Sequence, residues 1–272
     1  MKKKIPYIII TVLLVLGLGL LFYPTLSNWY NEQYQLRALV TSDDSIRQMT
    51  DEEMAWQLEK AREYNLNLSG EGLRDPFIPG GSSRLPEDYV SILDTNDGIM
   101  GSVQIPRINV NLPIYHGTSD SVLEKGVGHM EMTAFPVGGE GNHTVLTGHT
   151  ALPSALLFTD LDKLEEGDVF IIKIYHETLA YMVDQISVVE PDDTTLLLPE
   201  PGKDYVTLLT CTPYGINSHR LLVRGVRVPF NEEEVVQQGA LAAAGKTWLR
   251  YDLVIALAAL GVLAGVAIVA RV

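Results

Sequence analysis

Two apolar runs, one near each end, limit what this chain can become. Residues 5–22 follow Lys2, Lys3 and Lys4, and residues 253–270 form a second stretch rich in Ala, Gly, Val and Leu. A helix of about 18 apolar residues is long enough to cross the hydrocarbon core of a bilayer. A basic flank before such a run fits a signal peptide or a spanning helix, but Tyr23-Pro24-Thr25-Leu26-Ser27-Asn28-Trp29 offers no small-x-small cleavage site. An uncleaved signal anchor is therefore expected, with the lysines in the cytoplasm and the bulk of the chain outside the cell. The second run carries Gly261 and Gly265, a small-x-x-x-small pattern that lets helices approach closely. Lys246 and Arg250 precede it and Arg271 follows, so its flanks do not set an orientation. If both runs span, the middle of the chain is an extracellular domain tethered at both ends.

That middle is long enough for one good hydrophobic core. The net charge of −14 argues against a nucleic-acid partner, because a phosphate backbone must be neutralised by Lys and Arg. The chain has a single cysteine, Cys211, which excludes an internal disulfide framework. By default such a thiol is buried and inert. Only its surroundings can argue otherwise.

Along the chain, residues 28–41 read as helix, and Thr50 with Glu53 reads as a capping box opening another, with Met54, Leu58 and Ala61 at helical spacing. Glycines and prolines then crowd residues 70–86, which cannot hold a helix or a central strand. Loops of that length tend to be lids or linkers. From about Gly98 the pattern turns to β. Short apolar runs lie at 102–105, 110–115, 205–210 and 221–228, and 170–175 with 179–183 forms a hairpin about His176-Glu177. Many short strands between Gly/Pro turns suggest a closed barrel or a sandwich, mainly antiparallel. Residues 231–245 read as a helical or flexible stalk.

Cys211 ends the strand Tyr205-Val206-Thr207-Leu208-Leu209-Thr210-Cys211, because Pro213 cannot donate to a ladder. Arg220 opens the next strand. If the two strands form a hairpin, Cys211 and Arg220 face each other at its mouth, where a guanidinium can stabilise a thiolate or a developing oxyanion. A cysteine nucleophile also needs a proton acceptor, usually a histidine remote in sequence. The candidates are His116, His129, His143, His149, His176 and His219. His176 lies in a turn, and His219 alternates to the opposite face from Arg220. His149 ends an apolar strand after a glycine, a position that exposes a ring, but spacing alone leaves the choice open.

The segment Thr207-Leu208-Leu209-Thr210-Cys211 matches the T-L-x-T-C signature of sortases, and Arg220 lies nine positions on (211 to 220), where that family places its arginine. Thr147-Gly148-His149 matches the family's histidine segment, followed by Leu152-Pro153 and Leu157-Phe158. The chain resembles the pilus-building class C sortases from about Met100 to Arg227. The ordered matches include Ile105-Pro106, Leu112-Pro113-Ile114-Tyr115-His116-Gly117, Gly126-Val127-Gly128-His129 and Cys211-Thr212-Pro213-Tyr214-Gly215-Ile216-Asn217. The resemblance implies a mainly β fold: an eight-stranded sortase-type β-barrel with N-terminal helices, here flanked by two transmembrane helices. It implies Cys211 as nucleophile, His149 as general acid/base, Arg220 as oxyanion or substrate clamp, and Thr210 as substrate-binding. Class C members also resemble one another in a lid carrying Asp-Pro and an aromatic. Asp75-Pro76-Phe77 fits that pattern, with Asp75 placed to pair with Arg220 and Phe77 to cover the thiol. One departure is Thr150, where many relatives carry arginine after the histidine.

The layout expected is thus a basic end and anchor (1–24), a helical entry (25–69), a lid (70–97), the catalytic barrel (98–230), a stalk (231–250) and a second membrane helix (251–272). The implied activity is cleavage of an LPxTG-like sorting signal between Thr and Gly, then transfer to a lysine of the next pilin subunit. Its implied partners are pilin precursors bearing such signals, and the membrane. Neither metal nor cofactor is called for by thiolate chemistry. Two enzymatic alternatives stand beside this one. A housekeeping sortase would attach surface proteins to a cell-wall precursor, and a papain-like peptidase would hydrolyse the thioester. The latter usually orders Cys before His, whereas His149 precedes Cys211 here. A non-enzymatic adhesin or assembly chaperone would be indifferent to Cys211→Ala.

Overall fold

A computed structural model of the chain describes residues 5–68, 72–78, 85–95 and 98–245, together with Gly261. The chain begins with one long helix, α1 (Ile5–Ile46), which runs unbroken through Pro24. This joins the apolar run and the helix read at 28–41 into a single element. A proline inside a helix removes one i→i−4 bond and favours a kink without ending the helix when the flanking turns hold. Ile8–Ile46 is long and apolar enough to cross a membrane, and among the described residues none of its apolar window is buried. The second apolar run lies outside the described residues except for Gly261, where an added methyl would sit 3.7 Å from Leu18 of α1.

Helix α2 (Asp51–Leu66) starts at the predicted box: Thr50 Oγ1 accepts from Glu53 N, and Glu53 Oε2 accepts from Thr50 N. Its buried residues, Met54, Leu58, Ala61 and Asn65, form one helical stripe against the barrel. A single turn, α3 (Glu87–Val90), precedes the sheet, and a second, α4 (Asp120–Leu123), precedes its third strand.

Eight strands close into a barrel in the order β1-β2-β3-β4-β7-β8-β6-β5. They are β1 (Ile99–Ile105), β2 (Val110–His116), β3 (Val127–His129), β4 (Asn142–Thr147), β5 (Val169–Ile174), β6 (Glu177–Val189), β7 (Asp204–Thr212) and β8 (His219–Val228). Pairing is antiparallel except for β2 with β3 and β4 with β7. Closure leaves no sheet edge exposed. Inward residues including Val103, Ile114, Leu146, Ile172, Val206 and Val223 fill the interior, and Tyr89, Leu58 and Ala61 join them from the entry helices. The sandwich considered from the strand pattern does not form. Helix α5 (Glu232–Gly245) follows the last strand.

Candidate active site

Strands β4 and β7 run in parallel, with Thr147 opposite Leu209, so both leave the barrel at the same end. Two residues beyond β4 comes His149, and near the end of β7 comes Cys211. Strand β8 starts at that end, and its register puts Arg220 directly opposite Cys211. Two ties fix the histidine segment. Gly148 N donates to Leu209 O (3.1 Å), and the buried Thr210 hydroxyl donates to Gly148 O (2.7 Å). Thr210 therefore holds the residue preceding His149 and does not open onto a free surface. Gly148 is confined as well: a Cβ there would lie 2.7 Å from the Phe158 ring.

Cys211 is buried and Arg220 is almost wholly so. The guanidinium is held from two sides. Its Nη1 donates to Asn217 O (3.1 Å) and His219 O (2.9 Å) within its own hairpin. Its Nε and Nη2 meet the carboxylate of Asp75, itself 4% exposed, at 3.0 Å and 2.5 Å. Phe77 follows in the same loop, its backbone N–H donating to Asp75 Oδ1. The Phe77 ring lies 5.2 Å from the His149 ring and 5.3 Å from the Arg220 guanidinium carbon, within cation–π range. Leu73, from the same loop, packs with Phe77 against Met130, Val145, Leu209 and Leu222. The sequence reading did not include Leu73, though it is the apolar residue nearest the Asp-Pro-Phe segment on its N-terminal side.

These contacts set the protonation states. Burial pushes the Cys211 thiol up to about 11, with Arg220 opposing the shift and Asp75 adding to it. Desolvation holds His149 below its ordinary value, partly offset by Asp120 and Glu124. With the loop in place Cys211 is a neutral thiol and His149 a neutral imidazole.

The other histidines sit elsewhere. His129 is fully buried between Tyr89 and Ala134 O, and burial drives it down to about 3. His116 faces the carbonyls of Ile92 and Gly98, and His143 bonds Thr207 and Leu198 O. His176 is exposed in the hairpin turn, and His219 lies 3.2 Å from Glu190. Thr150, the departure from the family pattern, is buried directly after His149.

Comparison with known proteins agrees with the barrel fold. The sortase domain family model matches residues 103–228. Sortase C-1 from Streptococcus pneumoniae is 42% identical, with 72% of this chain and 100% of that one covered at a TM-score of 0.68. The pilus-related sortase C of Group B Streptococcus is 43% identical, with 69% and 95% covered at a TM-score of 0.65. Among curated proteins, sortase D of Bacillus subtilis (strain 168) is 33% identical over 131 residues, 47% of this chain. That match spans 63% of the curated relative's length.

Proposed function

The chain belongs to the sortase family, and on that premise we propose that it is a membrane-held cysteine transpeptidase that polymerises pilins. His149 takes the proton of the Cys211 thiol, the resulting thiolate attacks the Thr–Gly carbonyl of an LPxTG-like sorting signal, and Arg220 steadies the oxyanion that develops. The C–N bond breaks as His149 gives its proton to the departing glycine amine, leaving a thioester on Cys211. A lysine amine of the next pilin subunit, deprotonated by His149, then attacks the thioester. An isopeptide bond forms and the thiolate departs. Residues 70–97 act as a lid, with Asp75 occupying the Arg220 guanidinium and Phe77 covering the histidine until substrate displaces both. The lysines before the anchor favour a catalytic domain on the outer face of the cell membrane.

The observation that carries this reading is the pairing of Cys211 with Arg220 at one barrel end, where the adjacent parallel strand also delivers His149. The Asp75–Arg220 pair supports the pilus-building class. Residues 231–250 then serve as a stalk toward the second apolar run. The curated relatives carry the names sortase A, sortase D and sortase SrtE1 and not sortase C, which keeps a second reading beside the first, a housekeeping enzyme whose acceptor is an amine of a cell-wall precursor.

Intact-mass spectrometry of the full chain in detergent, incubated with an LPxTG-type peptide, tests the acyl step. A thioester adduct is expected, larger with Asp75→Ala and Phe77→Ala together and absent in Cys211→Ala. Equal adduct with and without the lid changes would remove the lid and keep the nucleophile. No adduct on the folded chain would overturn the transpeptidase reading. Adding a pilin lysine or a cell-wall amine as competing acceptors separates the two classes.

A further inference from the structure

Three polar contacts lay α1 along the barrel in a defined direction. The Ser42 hydroxyl meets that of Thr95, which bonds to Ile99 O at the start of β1, at the end remote from Cys211. Seven residues earlier, Gln35 Nε2 donates to Lys125 O, and Asn31 Nδ2 donates to Ser154 O in the loop that follows His149. Traced toward its N-terminus, α1 thus climbs from the far end to the end carrying Cys211, His149 and Arg220. From Asn31 back to Phe22, where the apolar run closes, is nine residues, about 14 Å at helical rise. Helix α5 climbs the same way. It leaves the far end after β8, and its Gln238 accepts from Val169 N at the start of β5, on the site end.

The loops at this end carry large apolar side chains that are exposed. Leu156, in the loop after His149, is 54% exposed, and Tyr214 and Ile216, in the 213–218 loop after Cys211, are 69% and 71% exposed. Val188, near the end of β6, is 59% exposed. An apolar tip with a phenol beside it suits the boundary between acyl chains and headgroups. The headgroup layer is several Å thick on each side of the hydrocarbon, which brings loop tips that project past the strand ends within reach of it.

We propose that the site end of the barrel rests on the bilayer, with Leu156, Tyr214 and Ile216 seated in its headgroup interface. The sorting signal then reaches Cys211 along the membrane surface and not from bulk solvent. Glu190, Asp192 and Asp193 lie just beyond β6 at the same end, so the contact is apolar and needs no anionic lipid. The proposal rests on α1 being a membrane anchor, and its test separates the two.

The full chain carrying Cys211→Ala has no other thiol, so one cysteine at a time is placed at 156, 214 or 216. Glu140 and Lys203, beside each other at the far end, serve as controls. Each is labelled with a polarity-sensitive dye, reconstituted in phosphatidylcholine vesicles, and challenged with doxyl-labelled phosphatidylcholine. The expected result is blue-shifted, quenchable emission at the three loop positions and aqueous, unquenched emission at the controls. A chain that floats with the vesicles while all labels stay aqueous overturns the proposal and leaves the anchor intact. A chain that fails to float overturns both. Loop labels that are shielded only when an LPxTG-type peptide is added overturn it in favour of a peptide-binding role for these tips. Quenching at the controls alone overturns it by inverting the barrel.

Discussion

The carboxylate of Asp75 and the guanidinium of Arg220 form a buried ion pair across 145 positions of sequence, with Nε 3.0 Å from both carboxylate oxygens. Removing one member of such a pair leaves the other charged and uncompensated, at a cost of about 3–5 kcal/mol if nothing moves. Here something can move, because Asp75 sits on a loop and Arg220 on a barrel strand. Asp75→Ala is expected to release the loop and leave the barrel folded. Alkylation of Cys211 by iodoacetamide should accelerate, and cleavage by protease within 72–78 should rise, while the thermal midpoint of the barrel changes little. An unchanged alkylation rate would mean that the pair does not control access to the thiol.

The pH profile of that alkylation gives a second expectation. Only the thiolate reacts, so with the thiol pushed up to about 11 the rate should climb roughly tenfold per pH unit through neutrality without levelling. Burial is the main cause, and the Asp75 charge adds to it. Asp75→Ala removes the charge and opens the site to water, and both changes lower the thiol pKa. The variant's profile should therefore level at a lower pH than the native chain's. Superimposable profiles would sink the electrostatic part of the lid's role.

What was legible in the sequence was mostly local. The β7–β8 hairpin follows from two alternating strands and a proline stop, and it brings Cys211 opposite Arg220 without any long-range information. The capping box at Thr50 is equally local. Strand β3, three residues long, gives too short a pattern to read, and the parallel pairing of β4 with β7 depends on a register across about sixty residues. The closed barrel and the choice of His149 came through resemblance for that reason. Asp75 was also found by resemblance, since an ion pair between a loop and a distant strand leaves no periodic trace. The continuity of α1 through Pro24 was obscured by the usual weight given to proline as a helix breaker.

Burial of His129 makes stability depend on pH. Its folded pKa is about 3 against an ordinary 6.5, so between those values the unfolded chain binds the extra proton. Stability contributed by the neutral imidazole is present above pH 6.5 and falls as pH drops toward 3. Between pH 7.5 and 5.5 this one residue should remove about 1.4 kcal/mol. His143 and His149, also held below their ordinary values, add to the same slope. Urea unfolding at the two pH values should give a smaller difference for His129→Gln than for the native chain. An equal difference would assign the slope to other groups.

Thr210 separates holding a catalytic residue from touching substrate. Its hydroxyl is buried and donates to Gly148 O, one residue before the imidazole proposed to move a proton. Thr210→Val keeps the shape but leaves that carbonyl unpaired, a loss of about 1–3 kcal/mol. The β7–β8 ladder and the Gly148 N to Leu209 O bond remain, so the barrel should still fold. Freed on one side, the 148–149 segment can drift, and small misplacements of a catalytic group lower rates by up to about a hundredfold. The expected result is a lower kcat for peptide transfer with KM little changed and alkylation of Cys211 near native, since the thiol itself is not displaced. Thr210→Ser, which restores the donor, should recover most of the rate. A raised KM with kcat intact would instead make Thr210 a substrate contact.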